Sequence, residues 1–135
     1  MNKQRGKALV SGKFKVIHSG HIRLFKLARE LSEELVVALD TSDLDASDVS
    51  WRLEALQNIG FVSRVITFQA GIDEVLFSEK PDTVVKGSEF ALAFNLEEGI
   101  LSEWGGKLVF SSGDSFFSEK DLIDNSEEDQ PGSHF

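Results

Sequence analysis

The chain has 135 residues, of which 41% are hydrophobic and 27% charged, with a net charge of −9 and no cysteine. That length predicts one domain around a single core, and the missing cysteine rules out disulfides, thiolate metal sites and a cysteine nucleophile. The acidic balance argues against general nucleic-acid binding, which needs a basic surface. The longest strongly apolar run, residues 35–39, is far shorter than a membrane helix, so no membrane association is expected.

The charge is unevenly placed. Eight of the 14 basic residues fall in the first 29 positions: Lys3, Arg5, Lys7, Lys13, Lys15, Arg23, Lys26 and Arg29. As a group they suit a small polyanion such as a triphosphate. No long apolar stretch follows the basic first residues, so they do not read as a signal peptide, and the expected compartment is the cytoplasm. Residues 125–135 are acidic and poorly hydrophobic, and read as a disordered tail behind a folded domain spanning 1–124.

In chain order, residues 8–11 suit a first strand ending at Gly12. Leu24, Leu27, Ala28 and Leu31 follow the i, i+3, i+4, i+7 spacing of an amphipathic helix. Residues 35–39 read as a strand buried on both faces of a parallel sheet. The polar stretch 40–50 reads as a loop, followed by a helix from Trp51 to about Gly60 that buries Leu53, Leu56 and Ile59. Residues 65–68 form a third strand, and Ile72, Val75 and Leu76 mark a short helix. Pro81-Asp82 turns into a strand over 83–86. Asn95 and Glu98 suggest a helix cap, and Gly105-Gly106 closes that helix after Trp104. Residues 107–110 form a fifth strand, and Ser118 is expected to cap a last short helix through Leu122 and Ile123.

Strands alternating with helices predict an α/β, Rossmann-like domain with a five-stranded parallel sheet. Ligands of such sheets bind beyond the carboxyl ends of the strands, where strand order reverses. The most informative strand end is Gly12-Lys-Phe-Lys-Val-Ile-His-Ser-Gly-His21. Gly12 allows a tight turn, and His18 and His21 fall on one side of a helical turn. Free backbone N–H groups and the positive helix end should face the same place, and Gly20 leaves room for a phosphate. Zinc would need a third ligand, for which His134 in the tail is a poor choice, and no metal site built by the protein is expected. Neither a P-loop nor a dinucleotide fingerprint occurs, and there is no nucleophile-elbow serine.

This segment resembles the G-(T/C)-F-D-x-x-H-x-G-H motif of the cytidylyltransferase-like nucleotidyltransferase family. Pro81-Asp-Thr-Val-Val-Lys-Gly-Ser-Glu-Phe90 looks like the P-D-x-L-V-K-G-x-D-Y stretch of the ADP-heptose synthase adenylyltransferase branch. Trp104-Gly-Gly-Lys-Leu-Val-Phe110 is similar to that branch's G-G-x-V-V strand, while the chain's length is closer to the glycerol-3-phosphate cytidylyltransferase branch. The resemblance implies transfer of a cytidylyl or adenylyl group from a nucleoside triphosphate, with Mg²⁺, to a small phosphorylated substrate such as a sugar or polyol phosphate. His18 and His21 would stabilise the transition state, with Lys15 beside them. Gly12, Phe14, Gly20, Arg29, Lys86, Gly87 and Ser115 would hold nucleotide and phosphates, and Asp40 and the helix-leading Arg52 the second substrate.

Three departures from the family's pattern bear on this reading. Lys15 stands where the family has aspartate, a charge reversal beside the triphosphate. The family's late S-T-T element appears as Ser115-Phe-Phe117, and the loop after the second strand is short and acidic. The alternative these departures raise is a catalytically degenerate binding protein of the same fold. Family members are often dimers, so Phe90, Phe94, Phe116 and Phe117 are candidates either for the core or for a homodimer interface.

Overall fold

A computed structural model describes residues 6–112 and the strand 115–118. Six strands form one sheet: β1 (Lys7–Gly12), β2 (Glu34–Asp40), β3 (Arg64–Phe68), β4 (Thr83–Gly87), β5 (Lys107–Ser112) and β6 (Ser115–Ser118). Their order is β3-β2-β1-β4-β5-β6. The first five are mutually parallel, and β6 runs antiparallel to β5. The helices are α1 (Ser19–Leu31), α2 (Ala46–Gln57), α3 (Ile72–Glu79) and α4 (Leu96–Leu101).

Side chains alternate across the strands and divide the core into two layers. Ala8, Val10, Leu35, Val37 and Leu39 pack with Phe25 and Ala28 of α1 and Leu56 of α2. Leu9, Val36, Ala38 and Val84 face the other way, onto Val75 and Leu76 of α3 and Leu101 of α4. Burial on both faces explains why 35–39 is continuously apolar rather than alternating. The chain runs outward from β1 to β2 and β3, then returns to the opposite side of β1 for β4. A crevice therefore opens between the carboxyl ends of β1 and β4, the place such sheets use for ligands.

At the opposite edge an ion-pair network ties the strand starts together. Arg64 donates to Glu34 at 2.9 Å and to Glu79 at 2.7 Å, and the Lys7 ammonium reaches Glu79 at 2.9 Å. The Arg64 hydrogen bond is the chief cause that holds the Glu79 carboxyl down, at about 2, and Lys7 adds to it.

The structure corrects four readings. Helix α2 begins at Ala46, inside the stretch read as loop, because the Asp45 carboxylate caps the Asp48 backbone N–H at 2.9 Å. Arg52 therefore lies in the middle of that helix and does not lead it. Asn95 occupies the cap position of α4 without capping it: its amide donates to the carbonyls of Phe90 and Ala93. Residues 115–118 form β6, antiparallel to β5, which adds a sixth strand to the five parallel ones expected. The expected helix through Leu122 and Ile123, the tail and His134 lie outside the described residues.

Candidate active site

A cavity of about 650 Å³ opens over the carboxyl ends of β1, β2 and β4. The β1 end and its turn contribute Gly12, Lys13 and Phe14, and α1 with its cap residue contributes His18, Gly20, His21 and Leu24. Asp40 ends β2, while Phe68, Gly71 and Ile72 follow from β3, and Lys86, Gly87, Glu89 and Phe90 from β4. Eight of the residues singled out from the sequence thus meet here: Gly12, Phe14, His18, Gly20, His21, Asp40, Lys86 and Gly87.

The turn after β1 is shaped by Phe14, which has a left-handed backbone (φ 51°) and a buried side chain. A bulky residue in that region costs about 1 kcal/mol. Its ring offsets that cost by packing edge-on against Phe25 (5.7 Å between centroids) and His21 (5.4 Å). Gly12 lies close beneath it: a Cβ there would come within 3.2 Å of the Phe14 ring, which would have to shift by a few tenths of an ångström.

Helix α1 starts with a reciprocal cap made of two imidazoles. His18 Nδ1 accepts the Gly20 backbone N–H at 3.0 Å, and His21 Nδ1 accepts the His18 backbone N–H at 3.2 Å. The rings stack 4.0 Å apart. A nitrogen that accepts a hydrogen bond carries no proton, so each neutral ring holds its proton on Nε2. The sequence led us to expect bare backbone N–H groups facing the ligand. Two of them are instead used by the cap, and the Nε2–H groups of two cavity-lining rings become the donors. Burial lowers the pKa of His21, and the neighbouring His18 lowers it further, against a smaller opposing pull from Glu89. His21 is therefore neutral at neutral pH.

Lys86 lines the cavity, but its ammonium points into a buried cluster. It bonds to Asn95 Oδ1 at 2.7 Å and Glu97 Oε2 at 3.2 Å, and lies 4.6 Å from the Phe90 ring centroid. This pins the turn after β4 to the first turn of α4. Neither Asn95 nor Glu97 was expected at the site, because neither belongs to a recognisable motif.

Three singled-out residues stand apart. Lys15 is exposed and does not line the cavity. Arg29 lies in the last turn of α1, about 12 Å along the helix from His21, and donates to the Ser32 carbonyl at 3.2 Å. Arg52 is buried below the cavity and donates to the Lys13 carbonyl at 3.1 Å. The Ser115 side chain lies outside the described residues. Besides Lys86, Lys13 lines the cavity wall; from the sequence it stood out only as one of the basic N-terminal group. Its ammonium reaches Asp43 at 2.9 Å and Asp40 at 3.5 Å.

Fold and site together define a class. A model of the cytidylyltransferase-like family matches residues 9–109, and the chain belongs to that family. Among its relatives, the bifunctional protein HldE of Streptomyces coelicolor is 34% identical over 111 residues, covering 73% of this chain and 23% of that protein. The D-beta-D-heptose 1-phosphate adenylyltransferase of Bordetella bronchiseptica is 30% identical over 110 residues, covering 73% of this chain and 68% of that protein. The chain thus spans about a quarter of the length of the bifunctional relative. The fold matches that of a lipopolysaccharide core biosynthesis protein from Thermoplasma volcanium with a TM-score of 0.64, at 22% identity, covering 78% of this chain and 95% of that one. No helix among the described residues is long and apolar enough to cross a membrane.

Proposed function

We propose that this protein transfers a nucleotidyl group from a nucleoside triphosphate to the phosphate of a small sugar or polyol substrate, releasing pyrophosphate. The observation that carries this reading is the His18–His21 cap, which engages both Nδ1 atoms and leaves the Nε2 atoms of two stacked, cavity-lining rings to serve as donors. A phosphate oxygen of the second substrate attacks the α-phosphorus. A new P–O bond forms, the bond from the α-phosphorus to the bridging oxygen breaks, and pyrophosphate leaves with both its electrons. His18 and His21 donate to phosphoryl oxygens as negative charge builds on them, and no covalent intermediate on the protein is required.

Mg²⁺ would arrive with the triphosphate and neutralise its charge, using one or two protein carboxylates at most. Among the described residues, Asp40 and Glu89 are the carboxylates on the cavity wall. The heptose-phosphate relatives make ATP with a sugar 1-phosphate the first pair to try, with CTP and polyol phosphates next. A pyrophosphate-release assay across the four nucleoside triphosphates and a panel of sugar and polyol phosphates tests the reading. Turnover with one pair is expected. Tight nucleotide binding without release from any pair would leave a binding protein of the same fold. We assign a homodimer to the exposed apolar run Phe90, Leu92, Phe94 and Leu96, which sedimentation velocity at two concentrations checks.

A further inference from the structure

Two lysines stand in the cavity wall, on opposite sides of the histidine pair, and their surroundings differ in kind. Lys86, on the β4 side, is held by the Glu97 carboxylate, whose side chain is only 7% exposed. Lys13, on the β2 side, donates to Asp43 (2.9 Å) and Ser42 (3.1 Å) and forms an ion pair with Asp40 at 3.5 Å. Asp43 is 66% exposed. An ion pair open to water on one side is weak and readily exchanged, whereas a buried one is costly to break. The turn explains why residue 13, and not residue 15, faces the cavity. The left-handed backbone of Phe14 sends its ring inward, and Arg52 fixes the Lys13 carbonyl from below.

We propose that the Lys13 ammonium is the phosphate-binding cation of this cavity, held ready by Asp43 and Asp40 and exchanging Asp43 for a phosphoryl oxygen when ligand enters. The inference rests on reading the cavity as a phosphate site, and it goes beyond that reading by giving a role to a lysine that stands where the motif has threonine or cysteine. Arg52 is then a positioning residue: it acts on the ligand only through the Lys13 backbone. Two sources supply the phosphoryl group, the nucleotide's own chain and the phosphate of the second substrate.

The test is calorimetric titration of the whole protein with inorganic tripolyphosphate and, separately, with glucose 1-phosphate. Lys13→Gln should weaken at least one of them about tenfold to a hundredfold, the range for one charged hydrogen bond. The probe affected identifies the source. Lys15→Gln should stay within about twofold, since its exposed charge is screened. Asp43→Asn, which frees the ammonium, should tighten binding about two- to fivefold, and that gain must vanish in the Lys13→Gln background. A merely structural role for the ion pair would weaken binding in both single variants. The proposal is overturned by Lys13→Gln leaving both affinities unchanged, by an Asp43→Asn gain that survives without Lys13, or by a wild-type protein that binds neither probe. The titration needs no turnover, so its failure is distinct from failure of the transferase reading. A protein that releases pyrophosphate but is indifferent to residue 13 keeps that reading and loses this inference.

Discussion

His21 turns back on His18: its Nδ1 takes the His18 backbone N–H at 3.2 Å while the two rings lie 4.0 Å apart. One pair of side chains thereby does two jobs, ending helix α1 through Nδ1 and offering hydrogen-bond donors through Nε2. The two jobs can be separated by substitution.

Asparagine is a good helix cap but does not reproduce the imidazole Nε2–H. His18→Asn should keep the cap and melt within a few degrees of wild type, whereas His18→Ala should lose about 1 kcal/mol. Thermal melts followed by circular dichroism check this. Equal losses in the two variants would mean that the Nδ1 bond contributes little.

Protonating His21 turns its Nδ1 from acceptor into donor and breaks its half of the cap. Because burial and His18 lower its pKa, the folded state binds this proton less readily than the unfolded chain does. The contribution of the group is therefore fully present above the ordinary histidine value of about 6.5 and is lost as pH falls below it. An NMR titration should place the His21 midpoint below that of a model histidine; a midpoint above it contradicts the buried, neutral ring.

Glu79 carries a separate pH dependence at the far edge of the sheet. Its pKa is lowered to about 2, chiefly by the Arg64 hydrogen bond and also by Lys7. Its stabilisation is thus complete above the ordinary value and is lost as pH falls from about 4.5 toward 2. Glu79→Gln should cost about 1–2 kcal/mol at pH 7, less than the whole shift would give because Arg64 is open to water. The cost should shrink at pH 3, as read from urea midpoints.

Glu97 is predicted to matter more than its distance from the histidines suggests. Glu97→Ala leaves the Lys86 ammonium half-buried without its carboxylate and should cost about 3 kcal/mol. It also frees the turn carrying Glu89 and Phe90, both on the cavity wall. Denaturation and turnover measured on the same preparation should fall together, and wild-type behaviour in both would contradict the assigned role of the pair.

The parallel core was legible because its strands are apolar on both faces and its helices bury regular stripes. Helix α2 was misplaced at its start because residues 46–50 turn little toward the core and so show no periodic apolar signal. Asp45 followed by Asp48 did carry a capping pattern. Strand β6 was hidden by the resemblance of Ser115-Phe-Phe117 to a phosphate-binding element, although Gly113-Asp114 before it has the glycine-first pattern of a hairpin turn. The histidine pair could be read from spacing alone. The choice between Lys13 and Lys15 could not, since it depends on the backbone sign of Phe14, which no propensity for phenylalanine announces. Nor could the Lys86 cluster, whose partners lie nine and eleven residues further along the chain.

The central claim is that the paired Nε2–H donors act on the transferring phosphate. Its most direct test is the rate of pyrophosphate release by the His18→Asn protein, measured where its melting temperature matches wild type. The account predicts a fall of about 10²–10³-fold, the usual cost of one lost transition-state donor. Release within a few-fold of wild type would show that the cap, and not the donor, is what His18 provides.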